Sequence, residues 1–120
     1  MELKYVPEVE LVNLTPHPVK LITDGGKIVV LPSGKVARVK ESVSDSASIR
    51  ILGKEVELVY IRTGEVENLP EPEAGKLYIV SRPIAMALAG KRKDVVVPDD
   101  FIRDEKGNII GARRLAILMA

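Results

Sequence analysis

The chain of 120 residues contains no cysteine and no tryptophan. Without cysteine there is no disulfide, no thiolate nucleophile, no iron–sulfur ligand and no cysteine-based zinc site. Aromatic side chains are few: Tyr5, Tyr60, Tyr78 and Phe101. A binding face built from stacked aromatics is therefore not expected. An excess of one charge sign is also missing. Lys and Arg number 18 against 17 Asp and Glu, a net charge of +1, which argues against a duplex nucleic-acid binder. Apolar runs are short, and none approaches the roughly 18 residues of a membrane span. The opening stretch MELKYVPEVELVNL has no basic segment followed by an apolar one, so a cytoplasmic protein with no membrane partner is expected. Glutamine is absent and asparagine occurs three times; with many Lys, Glu and Arg residues, this hints at a thermophilic source.

What is present is β-branched. Val (16) and Ile (11) together outnumber Leu (12), and such side chains favour half-buried pleated surfaces. Strands are expected over Val9–Leu14, Pro18–Thr23, Lys27–Leu31 and Val36–Val39, with Asp24-Gly25-Gly26 as a hairpin signal. Glu41–Ala47 (ESVSDSA) is polar and reads as loop. Ser48–Leu52 and Glu55–Ile61 alternate around Gly53-Lys54 as a second hairpin, with Val56, Leu58 and Tyr60 on one side. Arg62–Gly75 is the longest irregular segment. Leu77–Val80 is an apolar strand that runs into the one convincing helix, Arg82–Ala89, which has Pro83 in its first turn and Gly90 beyond its end. Val95–Val97 is a buried strand, Pro98-Asp99-Asp100 a turn, and Phe101–Asp104 leads through a further turn to the last strand, Ile109–Leu118. The expected fold is α+β: one sheet-dominated domain over residues 1–120, with several β-hairpins and one short helix. So short a helix leaves most of the sheet to bury against a curl or barrel of itself, another sheet, or a second copy. A homo-oligomer is expected on the same ground.

Several segments together resemble a group of small proteins found in phages and in mobile or accessory regions of bacterial genomes. They are Val12-Asn13-Leu14-Thr15-Pro16-His17-Pro18-Val19, Leu31-Pro32-Ser33-Gly34, Val36-Ala37-Arg38-Val39, Gly64-Glu65-Val66-Glu67-Asn68-Leu69-Pro70-Glu71-Pro72, Tyr78-Ile79-Val80-Ser81, Arg92-Lys93-Asp94-Val95-Val96-Val97-Pro98-Asp99 and Gly107-Asn108-Ile109-Ile110-Gly111-Ala112-Arg113-Arg114-Leu115. The resemblance spans nearly the whole chain. It implies genomic context and carries over no site residue.

Asn13, Thr15 and His17 stand at a spacing of two, so in a strand they present an amide, a hydroxyl and an imidazole on one face. The same Thr-Pro-His-Pro run also fits a corner whose side chains satisfy local backbone groups. His17 is the one histidine and the alternative catalytic residue, as an acid–base group. One histidine and no cysteine argue against a metal site, and no cofactor is implied. Ser81 and Arg82 open the helix, where free N–H groups favour an anion and the planar Arg82 fork suits phosphate. No glycine-rich nucleotide fingerprint accompanies them, and a plainly capped helix fits equally. Arg82, Lys91, Arg92 and Lys93 make 82–93 basic, while four glutamates make 65–73 acidic. The two segments either form a phosphate patch with an acidic lid, or pair with each other and face water. Arg62 and Arg114 are further candidate ligand contacts. Asp94, Asp99, Asp100, Asp104 and Glu105 lack calcium-loop spacing, and no serine has the nucleophile-elbow context.

The leading expectation is a small accessory binding protein for a phosphate-bearing small molecule such as a nucleotide or nucleotide-derived signal. One alternative is an enzyme acting on a phosphorylated substrate, which requires His17 near Arg82 or the acidic cluster. Another is a structural or assembly protein of a virus or mobile element.

Overall fold

The computed structural model describes residues 7–120; Tyr5 and the start of the N-terminal stretch lie outside them. Eight strands and one helix follow in the order β1 (Glu10–Asn13), β2 (Val19–Thr23), β3 (Gly26–Val30), β4 (Arg38–Ile51), β5 (Lys54–Glu67), β6 (Lys76–Ile79), α1 (Arg82–Ala87), β7 (Val95–Arg103) and β8 (Ile109–Ala116). Six strands form one sheet in the order β1-β6-β7-β8-β2-β3, and β4 and β5 form a separate two-stranded sheet. No helix among the described residues is long and apolar enough to cross a membrane.

The six-stranded sheet curls into a nearly closed barrel. Its first and last strands meet where Asn13 bridges to Pro32 in parallel. The Ser33 N–H donates to the Asn13 carbonyl at 2.9 Å, and the Ala37 N–H donates to the Leu14 carbonyl at 3.0 Å. Elsewhere in the curl, β8 approaches β2 closely, with Leu21 paired to Ala112. Gly111 permits that approach, because a Cβ there would meet Cγ1 of Ile22 at 2.8 Å.

The apolar runs of β6 and β7 are buried on both faces, as a continuous rather than alternating pattern requires. On one face Tyr78, Val80, Val95 and Val97 pack with Leu14, Ala37, Ile84 and Ala85, under the helix. On the other, Ile79 and Val96 meet Val19, Leu21 and Ala112 across the inside of the curl. Sheet dominance, the single short helix and the curled arrangement are as expected.

Several boundaries differ from expectation. The helix ends at Ala87, two residues early, with Leu88 as its C-cap. Glu41–Ala47 is strand, because β4 runs unbroken opposite the strand-forming β5 and its serines are carried by that ladder. β5 likewise continues to Glu67, shortening the irregular segment. The hairpin turn is Leu52-Gly53, one residue earlier than expected, and both residues take positive φ (48° and 79°), as the favoured two-residue turn demands. Pro98-Asp99-Asp100 is not a turn: β7 passes through it. Beyond Val96 this strand pairs only with β8, so a residue without an N–H is tolerated there.

The β4–β5 hairpin projects from the barrel, in a molecule extending 67 × 40 × 33 Å. Every residue from 40 to 65 is exposed. Opposite residues of the ladder share a face, so Ile49 with Val56, Ala47 with Leu58 and Asp45 with Tyr60 lie on one side. A bulge between Val43 and Asp45 turns Val43 and Ile61 to the other.

Barrel closure runs through one side chain. Asn13 is 1% exposed and is the one buried polar residue among those described. Its Nδ2 donates to the carbonyls of His17 (2.8 Å) and Val30 (3.1 Å). Its Oδ1 accepts from the Thr15 N–H (2.9 Å) and hydroxyl (2.7 Å). Asn13→Ala leaves these partners without the amide and opens the seam, so a loss of about 2–4 kcal/mol is expected. Urea unfolding of parent and variant measures it.

Candidate functional site

The corner between β1 and β2 is built by Asn13. Pro16 and Pro18 bring no N–H groups and fix the chain direction, while the amide ties the carbonyl of His17 back to the strand it left. Thr15 has one hydroxyl proton, shared between Asn13 Oδ1 at 2.7 Å and the His17 carbonyl at 3.0 Å. The three residues expected to present a row of polar groups therefore divide. Asn13 is buried and has all four hydrogen-bonding positions filled. The Thr15 hydroxyl keeps only acceptor capacity, and the imidazole of His17 is exposed.

Beside this corner lies the strand-to-helix junction. Ser81 has extended backbone and makes no side-chain cap bond, so its hydroxyl is free to donate. Arg82 follows on the surface and makes no ion pair among the described residues. The helix it opens has six residues, so its dipole contributes little and anion recognition falls to the side chains. The corner and the junction border an open hollow of about 290 Å³ lined by Thr15, His17, Ser81, Arg82, Val97 and Phe101, among others. A second hollow of about 330 Å³ adjoins it, sharing Pro18, Val19, Pro98 and Phe101 and adding Lys20. Four of the eight sequence-predicted residues thus line one cavity: Thr15, His17, Ser81 and Arg82.

The other four do not. Asn13 stands behind the corner as its strut. Arg114 lies opposite Asp99 in the β7–β8 ladder and its Nε donates to Asp99 Oδ2 at 2.8 Å. That hydrogen bond, and more weakly the nearby charge of Arg82, hold the Asp99 carboxyl below its ordinary range. Arg114 thus neutralises the carboxylate next to the cavity, and Arg82 has no ion-pair partner there among the described residues. Arg62 lies on the projecting hairpin opposite Ser42. Arg92 is committed elsewhere: its guanidinium grips both carboxylate oxygens of Asp94 at 2.7 Å and donates to the Pro70 carbonyl at 2.9 Å. The basic and acidic segments do meet, since Glu65, Lys91 and Arg92 line a hollow of about 550 Å³ under β5. Asp100 and Asp104 are also engaged, Asp100 with Arg113 and Asp104 with the N–H groups of Lys106 and Asn108. Among the described residues, no group of three or more histidines and acids is placed to hold a metal ion.

Phe101 and Lys20 were missed by sequence reasoning. Reading 98–100 as a turn separated Phe101 from the strand that carries it to the cavity wall. Its being the one phenylalanine, on a strand in company with Pro98, is the signal that points to it.

The Arg92–Asp94 pair yields a pH prediction. The hydrogen bond from Arg92, opposed by burial, lowers the Asp94 pKa from its ordinary 3.8. A lowered folded-state pKa stabilises the fold above the unfolded value, and that contribution is lost as pH falls through the folded value. Asp94→Asn is expected to cost about 1–3 kcal/mol at neutral pH, and the gap to the parent should close below about pH 4. Urea midpoints from neutral to acid pH measure both.

No family model, curated protein or solved structure matches this chain.

Proposed function

We propose that this protein is a small accessory binding protein that holds a phosphate-bearing small molecule at the mouth of its barrel. A nucleotide or nucleotide-derived signal is the most concrete ligand. The observation that carries the reading is the convergence of Thr15, His17, Ser81 and Arg82 on one cavity. The unpaired Arg82 fork meets the phosphate, the Ser81 hydroxyl donates a second hydrogen bond, and the half-exposed ring of Phe101 offers a flat apolar wall to a base. Lys20, in the adjoining hollow, adds positive charge for a ligand long enough to cross Phe101. The likeness of the motifs to phage and mobile-element proteins suits an accessory role of this kind.

One observation favours a second reading, an enzyme acting on a phosphorylated substrate: His17 and Arg82 line the same cavity, the proximity such an enzyme requires. Binding is preferred because the hydrogen bonds of His17 use its carbonyl. No described carboxylate orients the imidazole, as a positioned general base needs.

Native mass spectrometry of the purified protein tests the reading directly, with a bound nucleotide-sized mass expected. Calorimetry with that compound then compares variants. Arg82→Ala should weaken binding about 10–100-fold, the loss of a charge-assisted contact. Phe101→Ala should weaken base-bearing ligands and leave inorganic phosphate unaffected. Binding that is indifferent to Arg82→Ala overturns the anion site. Turnover of the compound that disappears in His17→Ala establishes the enzyme instead.

A further inference from the structure

Among the described residues, the projecting hairpin carries a row of exposed large apolar side chains, including Ile49, Ile51, Val56, Leu58 and Tyr60. One face of its ladder carries four rows: Ile51 with Lys54, Ile49 with Val56, Ala47 with Leu58, and Asp45 with Tyr60. The distal rows of the opposite face are polar, Ser48 with Glu57 and Arg50 with Glu55. Nearer the barrel the opposite face also carries Val59 and, beyond the bulge, Val43 with Ile61. Over the distal half the alternation is that of a sheet with one face meant for burial, yet Ile51 is 50% exposed, Leu58 43% and Tyr60 56%.

We propose that this face packs against the same face of a second copy, with the two hairpins antiparallel and related by a twofold axis in the plane of contact. Three features favour a second copy over a different partner. Residues 40–65 carry four basic and five acidic side chains, so two arms do not repel each other and offer no single-signed field to a nucleic acid. The apolar face is also self-complementary in charge. A twofold axis between the two central rows lays the first row of each copy on the fourth row of the other, so all four rows are covered. Lys54 then lies over the partner's Tyr60 ring and about 4.8 Å sideways from the partner's Asp45, one strand spacing. Finally, four rows spaced about 6.8 Å along two strands about 4.8 Å apart project to roughly 500 Å² counting both copies, the scale of a weak and reversible association between copies. In this overlap each hairpin tip stops short of the partner's barrel, and the two barrels stand at opposite ends of the dimer.

Sedimentation velocity of the full chain, from about 5 to 300 μM to bracket a weak interface, tests this. A reversible dimer is expected. Leu58→Lys should abolish it, with thermal unfolding retained because the side chain touches no core. Lys54→Glu and Asp45→Lys should each weaken dimerisation, and the double variant should restore it. A parent that stays monomeric over the whole range overturns the proposal, as does a trimer or larger assembly. A dimer unaffected by Leu58→Lys, or a double variant that recovers nothing, overturns it too. Retention of a monomeric parent by phospholipid vesicles would assign the face to a lipid surface instead. The ligand cavity lies on the barrel, so failure of either set of experiments leaves the other intact.

Discussion

The carboxamide of Asn13 holds together three parts of the molecule that have no other common point. It seals the first strand to the last around the barrel, through Val30 and the adjoining bridge to Pro32. It also folds the Thr15–Pro18 corner back on itself. The chain that leaves the seam at Ser33 becomes the entry to the hairpin, tied at Ala37 to the residue beside Asn13. A buried amide with two donors and two acceptors, all used, is a strong geometric constraint because any shift leaves a polar group unpaired in a dry interior. Its commitment to structure also decides what the neighbouring residues can offer. Thr15 spends its proton on the amide and on the corner, so it faces the cavity as an acceptor and does not help to hold an anion. His17 is anchored by its carbonyl while its ring stays free.

Charge pairing narrows the choice of ligand contact in the same way. Arg92, Arg113 and Arg114 each have a carboxylate partner. The Arg92 pair, 17% exposed on both sides, is the one in which removing a partner strands a half-buried charge. The two exposed pairs contribute little to stability. They do cancel the carboxylates of Asp99 and Asp100 near the cavity, which would otherwise oppose an anion there. Arg82 lies next to this neutralised strand with no ion-pair partner of its own among the described residues, and that is why the proposed anion site uses this arginine.

Much of the barrel was legible because burial on two faces writes itself as continuous apolar sequence, as in Leu77–Val80 and Val95–Val97, and because positive φ at Gly26 and at Gly53 is a backbone requirement that glycine announces. The closure was not legible. It depends on one amide reaching carbonyls at residues 17 and 30, and a single long-range contact leaves no periodicity to read. The polar run 41–47 was misread because Ser and Asp favour turns when judged alone, whereas here the partner strand supplies the ladder. The cavity was half legible. The Asn13–His17 motif and Ser81-Arg82 were separately visible, but their meeting follows from the β1–β6 pairing, in which Asn13 lies opposite Ile79 and so places both corners at the same end of adjacent parallel strands.

The hairpin differs from the barrel in what holds it. Ordering a residue's backbone costs roughly 1–2 kcal/mol, and a ladder hydrogen bond exchanged for water returns only about 1 kcal/mol. Apolar burial must close that gap. In the barrel it does, through the two clusters on either side of β6 and β7. In residues 40–65 nothing is buried, and a two-stranded ribbon without a covered face is marginal by itself. The ladder's apolar rows also shield one another only partly, which leaves Leu52 at the tip 98% exposed in a left-handed conformation that a branched side chain dislikes. A sequence under no pressure to cover this face would gain solubility from polar residues at 49, 51, 56 and 58. Instead Ile49, Ile51, Val56 and Leu58 share one face, and the opposite face is polar over its two rows farthest from the barrel, with Val59 and Ile61 on it nearer the barrel. On the proposed self-association, order in the arm and association of the chain rise together with concentration.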